Sequence, residues 1–239
     1  MLILPEETND KGFAMTSSFS CMLLAALLFF HIHMLDEDKK YVDTISGLGE
    51  RIVREDWKKM RDLSGCNPGR AVYLGAGYLS GMAREMALKN MELTNGKIAT
   101  MQETILGFRH GPKTFMDKDT DVFVLMSRSE YTNQYIRDLL KEIYHDTRKH
   151  KLIVISWEKD EEIEKISDAC IFVEGEQVPD VYSALVYVLY GQMFAFFNSV
   201  RLGIEPDNPS PDGSVNRVVK GVVLHSYYNV PGRECEVVV

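Results

Sequence analysis

Lys89 and Glu92 stand three residues apart in the stretch ALKNME, and an Arg-His-Gly-Pro sequence carrying His110 follows a little later. An amine, a carboxylate and an imidazole arriving on consecutive elements are the groups needed to move protons on a small polar substrate. Each also has an ordinary explanation. Lys89 and Glu92 fit surface ion pairs, with Glu85 to Lys89 at the favourable four-residue spacing, worth ~0.2–0.5 kcal/mol. His110 fits a structural histidine in a turn. Taken singly these residues leave both explanations open, and Lys220 alone carries no signal.

The elements that must position them alternate. After the break Ser64-Gly65-Cys66-Asn67-Pro68-Gly69, Arg70–Leu74 predicts a strand ending in Gly75-Ala76-Gly77, followed by a helix over 79–94. Further strands are expected at 98–103, 122–126, 152–156 and 170–173. Between and after them come a short turn or helix at 110–115 and helices at 132–149, 160–166 and 180–202. Apolar strands without polar alternation, separated by helices, imply an α/β three-layer sandwich. Its parallel sheet has about five strands, covered on both faces. Ligands of such sheets bind at the carboxyl ends of the strands.

The flanks are less regular. Leu2-Ile3-Leu4 reads as the end of a strand and 5–12 as a loop. Thr16-Ser17-Ser18 then supplies an N-cap for an apolar helix over 19–33. A helix this apolar must be covered on most of its surface, by the following domain or by a partner. A bracing helix runs from Asp36 to about Leu63. After Gly203 the turn-rich EPDNPSPDG leads into 215–220, a short helix or an extended arm, and then a loose tail.

Composition excludes several classes. A formal charge of -8 in 239 residues opposes non-specific nucleic-acid binding. Cys21, Cys66, Cys170 and Cys235 form no disulfide or zinc spacing, which fits the reducing cytosol. The longest apolar run, from Cys21 to Phe30, falls short of the ~20 residues of a membrane span. It has no basic region before it. His31 and His33 face opposite sides of a helix and make a poor metal site.

Two loops invite sharper interpretations. Gly75-Ala76-Gly77 approaches the dinucleotide fingerprint, but Ser80 stands where the third glycine belongs. A tight turn into a helix, close to a ligand or another backbone, accounts for the pair better. Ser127–Thr132 follows a buried strand and opens a helix, where N–H groups can hold a phosphate. Glu130 opposes an anion there, which favours plain N-capping.

Together these stretches resemble the sugar isomerase (SIS) domain family. ALKNMELTNGKIATMQETILGFRHGP is similar to the second-domain signature of glucosamine-6-phosphate synthase, in which A-L-K-x-x-E opens a helix and a basic residue-His-Gly-Pro closes the turn. The likeness to the tagatose-6-phosphate ketose/aldose isomerase group, also described as galactosamine-6-phosphate deaminases, runs from about Gly12 through Tyr227. It is carried by GFAMTSSF, AVYLGAG, GFRHGP and PDNPSPDGSVNRVVKGVVLH.

The resemblance implies a flavodoxin-like SIS fold and a sugar-phosphate substrate. It makes Glu92 the base that shuttles a proton between C1 and C2, and Lys89 the lysine beside it. His110 would assist ring opening across a subunit interface in a homo-oligomer, and Lys220 would close over the substrate. Thr16, Ser17 and Ser18, with Gly75, Gly77 and Arg109, would line the substrate site. An enediol or enamine intermediate needs a base near neutral pKa, so partial burial should raise Glu92 from ~4.3. No metal or cofactor is required, and the expected setting is cytoplasmic, with no membrane or nucleic-acid partner.

These enzymes have two such domains. Residues 1–66 correspond to the end of the first and a connecting helix, 67–229 to a complete second domain, and 230–239 to a loose tail. The Ser/Thr-rich phosphate loop of the first domain is not matched. The rivals are a non-catalytic sugar-phosphate sensor or scaffold, an inactive fragment of the two-domain enzyme, and a nucleotide-dependent oxidoreductase.

Overall fold

Ala71–Leu74, Val122–Leu125 and Leu152–Ile155 are apolar runs in which every side chain is fully buried. Such runs form strands covered on both faces. The computed structural model describes residues 2–66, 68–148, 151–218 and 220–225. The expected tail, 230–239, lies outside the described residues. The strands are β1 (Arg70–Gly75), β2 (Ala99–Thr104), β3 (Thr120–Leu125), β4 (Lys151–Ser156) and β5 (Ala169–Phe172). All pair in parallel in the order β2-β1-β3-β4-β5. β2 is therefore an edge strand beside β1.

Strand alternation divides the core into two layers. Ala71, Tyr73, Phe123, Leu125, Ile153 and Ile155 face one side, packed with α4 (Tyr78–Leu93) and α8 (Asp180–Arg201). Val72, Leu74, Val122, Val124, Leu152 and Val154 face the other, with α5 (Ile105–Phe108), α6 (Glu130–Tyr144) and α7 (Glu161–Ile166). α8 is long and apolar enough to cross a membrane, yet 67% of its most apolar window is buried inside the fold. It is a core helix.

The N-terminal flank departs from expectation in three places. Leu2–Leu4 is irregular chain, with Leu2 and Ile3 exposed. α1 (Ser17–Phe30) buries no residue fully. Phe19, Leu23, Leu24 and Leu27 pack on the α8-side core, while Met22, Phe29 and Phe30 stay exposed. The bracing helix is two helices, α2 (Leu35–Glu55) and α3 (Trp57–Leu63). They meet at Asp56, whose carboxylate accepts a 2.8 Å hydrogen bond from the buried Tyr190 hydroxyl of α8. At the other end of α2, the buried Asp38 lies 2.7 Å from His31 Nδ1.

By compactness the chain forms the units Met1–Pro209 and Ser210–Val239. In the second, Asp212 Oδ1 accepts from the Ser210 hydroxyl at 2.8 Å and the Ser214 backbone N–H at 3.1 Å, closing a turn. The described residues beyond it are bends and irregular chain, with no helix among them.

Candidate active site

The entry to α4 requires glycine twice. A Cβ on Gly75 would collide with the backbone of Leu79 and Ser80 in the first turn of α4. Gly77 has φ of +53°, a region that disfavours any side chain. The room beside Gly75 is thus filled by the helix itself, as a tight turn demands. That turn sets α4 on the sheet beside α8, where Gly191 lets Met86 lie directly on the α8 backbone.

Spacings of four and three residues put Glu85, Lys89 and Glu92 on one face of α4. Lys89 is only 4% exposed. Its ammonium donates to Glu92 Oε2 at 2.7 Å, and Glu85 Oε1 lies 3.3 Å away without hydrogen-bond geometry. The Glu85 side chain is 9% exposed and that of Glu92 28%. Burial pushes the Glu85 carboxyl above its ordinary value; Lys89 opposes the shift and the charge of Glu92 adds to it. Glu92 is thus the solvent-reaching carboxylate of a group built around a buried cation, fit to accept a proton while the cation stays fixed.

Sequence reasoning treated Glu85 only as a helical neighbour of Lys89. The available signal was α4 itself: Met82, Ala83, Met86, Ala87 and Leu93 crowd it with apolar residues, and all are buried. A carboxylate among them has little chance of reaching water.

His110 is exposed and lies on the other side of the sheet. The chain leaving β2 inserts Ile105, Phe108 and Met116 into the α6-side core, so the intervening turn belongs to that layer. α4 belongs to the α8 layer. Among the described residues no hydrogen bond or ion pair joins Glu92, whose partner is Lys89, to His110. The turn is tightly specified: Thr104 Oγ1 accepts from Gly107 N at 3.1 Å, and a Cβ on Gly107 would strike Thr104 and Glu103. Arg109 donates to Glu142 Oε2 on α6 at 2.8 Å, and Lys113 pairs with the same carboxylate. The Lys113 hydrogen bond, followed by the Arg109 charge and hydrogen bond, outweighs burial and holds Glu142 below its ordinary value.

Thr16, Ser17 and Ser18 open α1, but the capping roles are reversed. Thr16 makes no side-chain cap. Asp10 instead accepts from the backbone N–H groups of Thr16, Ser17 and Ser18 at 3.0, 2.8 and 2.9 Å, and from the hydroxyls of Thr16 and Ser18. Burial alone would raise the Asp10 carboxyl; the hydrogen bonds from Ser18, Ser17 and the Thr16 hydroxyl win and hold it far below the carboxylate range.

A family model described as SIS domain matches residues 66–197. The chain belongs to the SIS domain family.

The SIS domain has relatives of known name. D-galactosamine-6-phosphate deaminase AgaS of Shewanella sp. (strain ANA-3) is 38% identical over 94% of this chain and 54% of its own length. The solved structure of tagatose-6-phosphate ketose/aldose isomerase from Escherichia coli is 34% identical with a TM-score of 0.80, covering 95% of this chain and 58% of that one. A Clostridium novyi NT protein, provisionally named a tagatose-6-phosphate ketose/aldose isomerase, is 48% identical with a TM-score of 0.91. There the coverage is 95% and 59%. The chain spans little more than half the length of these relatives.

In this SIS domain the loop Ser127–Thr132 is occupied by its own side chains. Ser127 N donates to Asn133 Oδ1 at 3.0 Å, Arg128 N to Asp180 Oδ1 at 2.8 Å, and Ser129 N to Ser127 Oγ at 3.0 Å. Ser129 caps α6 by accepting from Thr132 N at 3.3 Å. This is N-capping, and it leaves these N–H groups engaged. The adjoining cavity of about 220 Å³ contains Arg128 and Arg137, each already paired with carboxylates. Among the described residues no three His, Cys, Asp or Glu side chains gather as a metal requires. Lys220 is exposed and belongs to the unit Ser210–Val239.

Proposed function

We propose that this chain carries the proton-transfer half of a phosphosugar aldose–ketose isomerase or deaminase acting on galactosamine 6-phosphate or tagatose 6-phosphate. The observation that carries the reading is Lys89, a buried ammonium 2.7 Å from a carboxylate, Glu92, that still reaches solvent. Glu92 takes the proton from C2 of the open-chain amino-aldose and returns it at C1. Lys89 stabilises the charge that develops on oxygen during the transfer. The shift turns the C2 amine into an imine. Water adds across the C=N bond, ammonia leaves, and the ketose 6-phosphate remains. The names of the relatives support both halves of this sequence.

The other groups have narrower roles. His110 meets a Glu92 only in another copy of the chain, assisting ring opening in a homo-oligomer. Thr16, Ser17, Ser18, Gly75 and Gly77 line the substrate, and Arg109 reaches it beside His110 from the other copy. Residues 1–66 correspond to the end of a first SIS domain and its connecting helix, and 67–229 to a second. The 6-phosphate is held outside the loop Ser127–Thr132. The setting is the cytoplasm.

Incubation with galactosamine 6-phosphate should release ammonia and form tagatose 6-phosphate. Glu92→Gln should abolish turnover while calorimetry still detects binding. Mixing Glu92→Gln with His110→Ala protein should restore activity to about a quarter of wild type, through hybrid interfaces. Binding without turnover by the wild type favours the sensor reading; absence of both binding and turnover overturns the assignment.

A further inference from the structure

Four polar side chains from four elements meet in the core beneath α4: Tyr73 of β1, Asn90 of α4, Asp121 of β3 and Asn198 of α8. All four residues are fully buried. Asn198 Nδ2 donates to Asn90 Oδ1 at 3.1 Å, the direct side-chain bond between the two helices. Asn198 Oδ1 has no hydrogen-bond partner, and Asn90 Nδ2 has none of close geometry, although Asn90 lies near enough to the Tyr73 hydroxyl to influence it. Around them the packing is apolar and tight, with the Tyr73 and Phe123 rings stacked at 5.0 Å and Phe123 against Phe194 at 4.7 Å.

An apolar pair at 90 and 198 would avoid the cost of burying amides with unmet hydrogen-bonding capacity. What an amide pair adds is direction: it satisfies its bond at one axial offset of the helices, whereas apolar side chains tolerate sliding and rotation. A second contact reinforces that offset. Met86, one turn before Asn90, seats against Gly191, two turns before Asn198, so α4 and α8 run in the same direction. Asn90 is adjacent to Lys89, and its carbonyl accepts from the Thr94 hydroxyl at 2.6 Å at the end of the same helix.

We infer that Asn90 and Asn198 are positioning residues, an amide lock that fixes the rotation and height of α4 and thereby holds the Lys89 ammonium buried against Glu92. The catalytic part of this inference rests on the proposed proton-transfer function; the burial part does not. In the full chain, Asn90→Leu/Asn198→Leu should melt within about 3 °C of wild type, because both amides are removed together. Its kcat on galactosamine 6-phosphate should fall at least about 10-fold with KM unchanged, since a small misplacement of a reacting group acts on the chemical step. Acylation of Lys89 by acetic anhydride, followed by mass spectrometry, should accelerate about 10-fold as the amine loses its fixed burial.

Asn198→Ala, which leaves α4 untouched, should move kcat and Lys89 labelling the same way; it decides the matter if the leucine pair does not fold. A stable variant with wild-type labelling and wild-type kcat overturns the lock. If the wild type shows no turnover, the functional assignment falls, while the labelling rate still decides whether the amides position Lys89.

Discussion

Two clusters of opposite charges lie on opposite layers of the sheet, and they treat their carboxylates in opposite ways. On α4, Lys89 sits between Glu85 and Glu92 with almost no solvent. On the α6 side, Arg109 and Lys113 converge on Glu142, with Asp146 nearby. Both contain cations within salt-bridge distance of carboxylates. Yet Glu85 is pushed up, because desolvation is its largest influence, while Glu142 is pulled down, because the hydrogen bond from Lys113 is. Proximity of opposite charge does not by itself set the direction of a shift; the water left around the pair decides which influence wins. In the α4 cluster it is Lys89 and Glu85 that are nearly closed to water, while Glu92 reaches it about as freely as Glu142 does.

The largest test of this contrast is removal of the buried cation. Lys89→Met leaves Glu85 and Glu92 facing each other without compensation and should destabilise the fold by about 3 kcal/mol, measured by urea unfolding. Adding Glu85→Gln to Lys89→Met should recover much of that loss, since the remaining carboxylate of Glu92 reaches solvent. Additive effects in the double variant would mean that Glu85 and Lys89 do not share one electrostatic site.

The sequence made much of the sheet legible and little of this contrast. Val122–Leu125 and Leu152–Ile155 announce themselves because only doubly covered strands are apolar at every position. The cap of α1 was illegible: the hydroxyls of Thr16 and Ser18 look like acceptors for N–H groups, but a carboxylate six to eight residues upstream takes that role. The break between α2 and α3 falls at Asp56, whose partner Tyr190 is remote in sequence. Glu85 was hidden because a four-residue Glu–Lys spacing is the same on a surface and in a core. Lys89, Glu92 and His110 were singled out by residue type and family likeness. That Glu92 and His110 lie in different layers needed the assignment of Ile105, Phe108 and Met116 to one core and of α4 to the other.

A smaller and more discriminating effect is the pH dependence of Glu85. Its folded value is raised above 4.5, so the folded state holds the proton more tightly than the unfolded chain. The associated stability is fully present below pH 4.5 and is lost as pH rises through the folded value. The stability of wild type relative to Glu85→Gln should therefore decline from pH 4.5 upward. A flat or rising difference would place Glu85 with the exposed carboxylates.

Glu142 should give the mirror image on a smaller scale. Its folded value lies below 4.5, so its contribution is present above pH 4.5 and fades as pH falls through the folded value. With the side chain 31% exposed and its partners reaching water, Glu142→Gln should cost no more than about 0.5 kcal/mol at neutral pH, and added salt should shrink that further. The two carboxylates then have slopes in separate windows, one above pH 4.5 and one below. If Glu142→Gln cost as much as Lys89→Met and resisted salt, the α6-side cluster would be as isolated from water as the α4 one. The proposed proton transfer at α4 would then rest on Glu92 alone.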